Sequence, residues 1–233
     1  MSAWRAATCA ALAAALLGAG SAGADRDERP PAASMPEMDY APPPAGSYAL
    51  NVIQPAPDGG VIDERGRPRR LAEYTRGRVT LLSLVYTYCT ERTGCVLAYE
   101  TGMELKKRIL ADPKLRGRVQ FVSLSFDPIN DSPETMRLYG GESARAGGPL
   151  PWHFLTTGSV KALKPILDGF DQEIEVELDD QGRPTRTISH ILKLFLIDRQ
   201  GRVREIYSTA FLQPEAMLND IRTLVMEEDA ARH

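Results

Sequence analysis

Residues 79–86 (VTLLSLVY) constrain the fold more than any other stretch of the chain. Seven of the eight are apolar, β-branched or aromatic, which reads as a buried strand. The run passes straight into a loop bracketed by Cys89 and Cys95, and a fifteen-residue helical pattern starts at Val96. A strand of this kind needs covering layers, and few architectures supply them. Two thiols where such a strand becomes a helix also make a candidate chemical site.

The remaining segments supply the layers. Residues 47–54 (SYALNVIQ) alternate as a strand, Val61-Ile62 follows a Pro-Asp-Gly-Gly turn, and residues 64–67 (ERGR) suggest a hairpin turn. Residues 71–74 predict a short helical turn. The helix at residues 96–110 places Tyr99, Met103 and Leu110 on one face, with Leu105 and Ile109 beside it. Gly102 in its middle costs about 1 kcal/mol relative to alanine, and Asp112-Pro113 ends it. Residues 119–126 (VQFVSLSF) form a second buried strand, and Asp131-Ser132-Pro133-Glu134 starts a helix with Ser132 or Asp131 as its N-cap.

Residues 152–155 predict a short strand, and Gly158-Ser159 opens a helix through Asp168. Residues 174–178 alternate with glutamate, as an edge or exposed strand does. Residues 188–197 read as the third buried strand, turned by residues 198–201 (DRQG) into a hairpin partner at 203–207. A final helix spans 213–226 with Leu218, Ile221, Leu224 and Val225 facing inward. The βαβ half implies parallel strands joined by a right-handed crossover, and the hairpin half adds an antiparallel pair. The predicted class is α/β: a thioredoxin-like central mixed sheet flanked by helices, with an N-terminal β-hairpin extension, over residues 47–230. No period of 20–50 residues repeats, so a solenoid is excluded.

The N-terminal end reads as an address. Residues 1–24 carry a single cation (Arg5), an Ala- and Leu-rich apolar run and a small-residue pattern, Ala22-Gly23-Ala24, before a charged stretch. They predict a signal peptide, with an uncleaved membrane anchor as the alternative. Either reading places the bulk of the protein outside the cytoplasm, in the periplasm. Residues 25–46 are charged, Pro-rich and poor in large aliphatics, a flexible linker of polyproline II character. Met35 and Met38 in it are read as incidental, and Cys9 lacks the upstream apolar stretch of a lipidation site. The net charge of −3 becomes −4 once residues 1–24, with their one arginine, are removed. That argues against nucleic acid or an anionic membrane surface as ligand.

Only Cys89 and Cys95 then remain, in an oxidising compartment where paired thiols commonly join. A structural disulfide closing so short a ring contributes about 2.4 kcal/mol, which a domain with three buried strands does not need. The alternative is a functional pair. In α/β layers, ligands sit beyond the carboxyl ends of the strands, where both cysteines lie. Cys95 adjoins a helix N-terminus, which favours a thiolate; Arg92 assists and Glu91 opposes. His190 opens the strand at 191–197, and in a thioredoxin-like fold it faces the cysteine loop across the top of the sheet. Two sulfurs and an imidazole form a soft set suited to Cu(I), with zinc as competitor and Cu(II) reachable with an added ligand. His153, next to Trp152 in another strand, is read as structural, and His233 has no context.

Three motifs together resemble the Sco/SenC family of copper-binding, thioredoxin-like proteins. Tyr86-Thr87-Tyr88-Cys89 matches the family's aromatic-Thr-x-Cys strand end. Ser125-Phe126-Asp127-Pro128 with Asp131-Ser132-Pro133-Glu134 matches its second strand exit, and Tyr139 a tyrosine soon after. His190 with Leu196-Ile197-Asp198-Arg199-Gln200-Gly201 matches the last. The similarity runs over roughly residues 47–228. It implies copper, as Cu+ or Cu2+, held by Cys89, Cys95 and His190. It also implies membrane proximity and a metallochaperone role in maturing the copper centre of a respiratory oxidase, whose copper-receiving subunit is the expected partner. The sequence departs from the family's Cys-Pro-x-x-Cys-Pro: five residues separate the cysteines, and Thr90 and Val96 replace the prolines. The longer loop is less preorganised for a metal.

The competing enzymatic reading is a thiol–disulfide reductase acting on an exported copper or cytochrome protein, with Cys89 and Cys95 as its redox-active pair. Cys-x-x-Cys is absent, and no proline immediately precedes the His190 strand. A third reading is an assembly module with a structural disulfide and no metal.

Overall fold

The structure is a computed structural model that describes residues 41–89, 91–145 and 148–232, without the side chain of Arg92. The readings of residues 1–40, including the export segment, Cys9, Met35 and Met38, lie outside the described residues, as do those of Thr90 and His233.

The described chain runs through β1 (Gln54–Pro55) and a hairpin of β2 (Gly60–Ile62) and β3 (Pro68–Arg70). The short α1 (Ala72–Thr75) leads into β4 (Val79–Val85), α2 (Leu97–Ala111), β5 (Val119–Ser125), α3 (Pro133–Gly140) and β6 (Trp152–Leu155). After α4 (Val160–Gly169) come two hairpins, β7 (Ile174–Leu178) with β8 (Pro184–His190) and β9 (Lys193–Ile197) with β10 (Arg202–Ser208). α5 (Pro214–Ala230) follows.

Six strands form one mixed sheet in the order β1-β10-β9-β4-β5-β6. β4, β5 and β6 are parallel neighbours, while β9 runs antiparallel to both β4 and β10. The register aligns Leu196, Leu81, Phe121 and Trp152 across the sheet, with Leu194, Ser83, Ser123 and Phe154 two residues further along. Partners in register share a face, so these eight line one side, and α2, α3 and α5 cover it. The two serines on that side are satisfied. Their hydroxyls bond each other at 3.1 Å, and the Trp152 indole donates to Ser123 at 3.0 Å. The other face carries Leu82, Val122, Phe195 and His153; Phe170 at the end of α4 packs on Phe195 at 4.4 Å. The class and the layering are those expected of a thioredoxin-like α/β domain.

The face of α2 that turns inward is the one beside Tyr99, Met103 and Leu110. Leu97, Ala98, Thr101, Gly102, Leu105 and Ile109 are buried, while Met103 is 42% exposed and Tyr99 and Leu110 are only half-buried. The cause is Trp152: a Cβ on Gly102 would stand 2.7 Å from the indole Cη2. Small residues face the sheet so that a large one can rise from it. Gly102 is thus a close-approach glycine.

Two strands differ from their expectations. Residues 47–53 form no strand; they are held by Tyr48, whose hydroxyl donates to Asp220 of α5 at 2.6 Å. Just before them, the Asn219 amide donates to the Pro43 carbonyl at 3.0 Å, and the Gly46 amide donates to the Thr223 hydroxyl at 2.9 Å. Residues 43–46 therefore lie along α5. The predicted strand at 188–197 is divided between β8 and β9. The Gln172 amide binds the Ile191 carbonyl at 3.1 Å, and Ile191 points outward at 68% exposure. His190 accordingly ends a two-stranded hairpin, opposite Ile174, and does not open the core strand.

Candidate functional site

The exits of β4 and β5 are joined by one carboxylate. Asp131 is buried and accepts from the Thr87 amide at 3.0 Å, the Thr87 hydroxyl at 2.5 Å and the Ser125 hydroxyl at 2.6 Å. Ser132 takes the N-cap of α3, accepting from the Thr135 amide at 3.1 Å. With capping done by its neighbour, Asp131 is left to anchor the loop that carries Cys89. Sequence reasoning placed Thr87 and Asp131 in separate motifs; the fold makes them one clamp.

Cys89 is half-buried and Cys95 is buried, and both are free thiols. The loop between them ends in a single π-turn, Arg92–Val96, that leaves the helical path at Gly94 (φ −105°, ψ −123°) before α2 begins. Gly94 lies against the site, since a Cβ there would meet Cys89 Sγ at 3.6 Å and Glu91 Oε2 at 3.3 Å.

The sulfurs are hydrogen-bonded to each other, and the acidities of the pair separate. The Cys95 thiol donates to Cys89, and the amides of Cys95 and Glu91 and the Tyr86 hydroxyl add further bonds to the same sulfur. Together these outweigh burial and lower Cys89 to about 5. Cys95 is pushed far up, because its proton is held by Cys89 and its sulfur is buried. The thiolate is therefore Cys89. The expectation that the α2 terminus would activate Cys95 is reversed, because the Cys95 amide points at its partner's sulfur.

His190 lies against Tyr86. The two rings meet edge-on at 6.0 Å, and Phe126 packs on the imidazole at 4.7 Å. The Tyr86 hydroxyl accepts from the Ile188 amide at 3.5 Å while serving Cys89, so it links the β7–β8 hairpin to the cysteine loop. A second link is Arg186 over the Tyr88 ring at 4.2 Å. His190 Nδ1 is 3.2 Å from the Ile188 carbonyl. A carbonyl only accepts, so Nδ1 carries a proton, and in the neutral imidazole the lone pair is on Nε2. Nε2 is buried and has no protein partner. Among the described residues no three His, Cys, Asp or Glu side chains already stand close enough to hold an ion. The fold brings the two sulfurs together and holds the imidazole against Tyr86 and Phe126.

His153 belongs elsewhere. It packs on Tyr74 at 4.7 Å, and burial lowers it to about 4. Tyr139 meets Tyr99 and Phe154 edge-on beside the cysteines, and burial raises its hydroxyl. The role of Tyr86 was not drawn from the sequence; its place three residues before Cys89, at a buried strand's end, was the only hint.

No curated protein matches the chain in sequence. Solved structures do match in fold. The apo Sco1 protein from Thermus thermophilus is 24% identical, with a TM-score of 0.58 over 77% of this chain and 95% of its own. ScoI from Bradyrhizobium japonicum, solved with copper bound, is 20% identical, with a TM-score of 0.55 over 71% of this chain and 96% of its own. BsSco, described with a disulfide switch and as a member of the Sco family of cytochrome c oxidase assembly proteins, is 21% identical, with a TM-score of 0.55 over 76% and 98%. The model of the SCO1/SenC family matches residues 60–226, most of the chain. With its thioredoxin-like sheet and its cysteine pair at the exit of β4, this chain belongs to the SCO1/SenC family.

Proposed function

We propose that this is an exported copper-handling protein that takes one copper ion on Cys89, Cys95 and His190 and assists maturation of the copper centre of a respiratory oxidase. The observation that carries the reading is the buried, unpartnered Nε2 of His190, with its tautomer set by the Ile188 carbonyl, on a ring that Tyr86 links to the thiolate–thiol pair. Two sulfurs and a neutral imidazole suit Cu(I) best. Copper is the cargo. The chain's own part is to keep Cys89 deprotonated, to orient the His190 ring through the Ile188 carbonyl, and to pack Tyr86 and Phe126 on the imidazole. The copper-bound ScoI and the oxidase-assembly description of BsSco support the cargo and the client. Export rests on residues 1–24, and among the described residues no helix is long and apolar enough to cross a membrane.

The test is titration of the reduced protein against a Cu(I)-specific competitor, with X-ray absorption on the loaded form. One tightly bound ion with sulfur and nitrogen neighbours is expected, weakened at least a hundredfold in Cys89→Ser and clearly in His190→Ala. Variants that bind as tightly as the parent sink the assignment.

Thiol–disulfide exchange remains the second reading, favoured by one feature: a half-exposed thiolate, Cys89, beside a buried thiol, Cys95, that can resolve a mixed disulfide. A Cys95→Ser variant that traps a mixed disulfide with the client, in a protein that ignores copper, would favour it.

A further inference from the structure

A groove of about 1110 Å³ opens beside the site, between α4 and the β7–β8 hairpin, with His190 in its wall. Its α4 side is lined by the exposed Val160, the buried Leu163 and Leu167 and the Lys164–Asp168 ion pair, and Ile129 lines it at 81% exposure. The hairpin turns one face toward it: Ile174 opposes His190 and Val176 opposes Ile188, so these four share a side. Val176 is 42% exposed there, although it sits on an apolar face.

Two further properties of β7 say what fits. β7 has β8 as its sole strand partner among the described residues, so its other edge offers unpaired backbone groups. A two-stranded hairpin is marginal in water without a further strand or layer. The side chains alternating with the apolar ones are acidic: Glu173, Glu175 and Glu177 are exposed and form no salt bridge among the described residues.

We propose that β7 and this groove dock an extended segment of the partner polypeptide in which apolar residues alternate with lysine or arginine. The segment adds a strand to the β7 edge. Its apolar side chains enter the groove, and its alternating cations meet Glu173, Glu175 and Glu177, the first two of which also line the groove. The identity of the partner rests on the function proposed above; the surface and its chemistry do not, and the test contains no copper.

The probe is the capped octapeptide (Lys-Val)4, titrated into the isotope-labelled protein with backbone amide shifts followed by NMR. Saturable shifts confined to β7, β8 and α4 are expected. The peptide (Glu-Val)4 and a (Lys-Val)4 with alternate amides N-methylated should fail, and Glu173→Lys with Glu175→Lys should weaken binding about tenfold. Cys89→Ser should bind like the parent. No binding of (Lys-Val)4, equal binding of the acidic peptide, shifts centred elsewhere, or unchanged affinity in the charge-reversed variant would each overturn the proposal.

Discussion

Replacing Asp131 with alanine should release the cysteine loop before it unfolds the domain. The carboxylate accepts three hydrogen bonds, two from Thr87 and one from Ser125, all buried or half-buried. Bonds to a charged acceptor contribute about 1.5–3 kcal/mol each, and a buried donor left unmade costs about 1–3 kcal/mol. The two hydroxyls can turn to other acceptors, whereas the Thr87 amide cannot. Removing the carboxylate also removes its own desolvation cost. The net loss should then be about 3 kcal/mol, with Asp131→Asn at roughly half of that because one acceptor oxygen remains. Urea denaturation gives the stability, and the pH profile of Cys89 alkylation by iodoacetamide reads the loop. In the parent the profile should be centred near 5, as the hydrogen bonds to its sulfur require. In Asp131→Ala it should move up toward the ordinary thiol range of about 8.5. A loss below about 1 kcal/mol would refute the clamp. An unchanged alkylation profile in a destabilised variant would show that Asp131 holds the fold but not the loop.

Tyr86→Phe removes one donor from Cys89 and the acceptor of the Ile188 amide, so the alkylation profile should shift upward and β8 amide exchange should quicken with little loss of global stability. Gly102→Ala should destabilise by about 1–3 kcal/mol in urea despite alanine's better helix propensity, because the new Cβ meets Trp152 at 2.7 Å. The cysteine pair should shape stability against pH. Cys89 is lowered and Cys95 raised, so below the lowered value both the folded and the unfolded pair hold two protons. Between that value and the ordinary thiol range the folded pair holds one proton and the unfolded pair two, so stability rises with pH. Above the ordinary range the unfolded pair holds none, and stability falls again. Urea midpoints from pH 4 to 10 should peak in between, and the double serine variant should lose this contribution to the profile.

The strands of the central sheet were legible because apolar runs such as residues 79–86 and 119–126 have few alternatives. The cysteine loop stood out for the same reason. What escaped depended on partners distant in sequence. Residues 47–53 alternate as a strand does, yet Tyr48 is committed to Asp220, and no local pattern announces that bond. The run at 188–197 divides because Gln172 captures the Ile191 carbonyl. Which face of α2 turns inward was not drawn from the sequence, because the close approach of Trp152 to Gly102 is set by a distant strand. At the site, the residue types were visible but the proton was not. Which cysteine ionises depends on where the amides of Glu91 and Cys95 point, and only the π-turn fixes that.

The attachment of residues 43–46 to α5 gives the domain a heading. Traced toward lower numbers, the chain passes from the level of Thr223 to that of Asn219, toward Pro214 at the start of that helix. That start lies just beyond the end of β10, which runs in the same direction as β4, and the Thr209 hydroxyl there reaches the Thr93 carbonyl in the cysteine loop at 3.5 Å. Residues 43–46 and the thiolate therefore lie toward the same end of the sheet. A partner that engages residues 43–46 therefore approaches the end of the domain that carries Cys89.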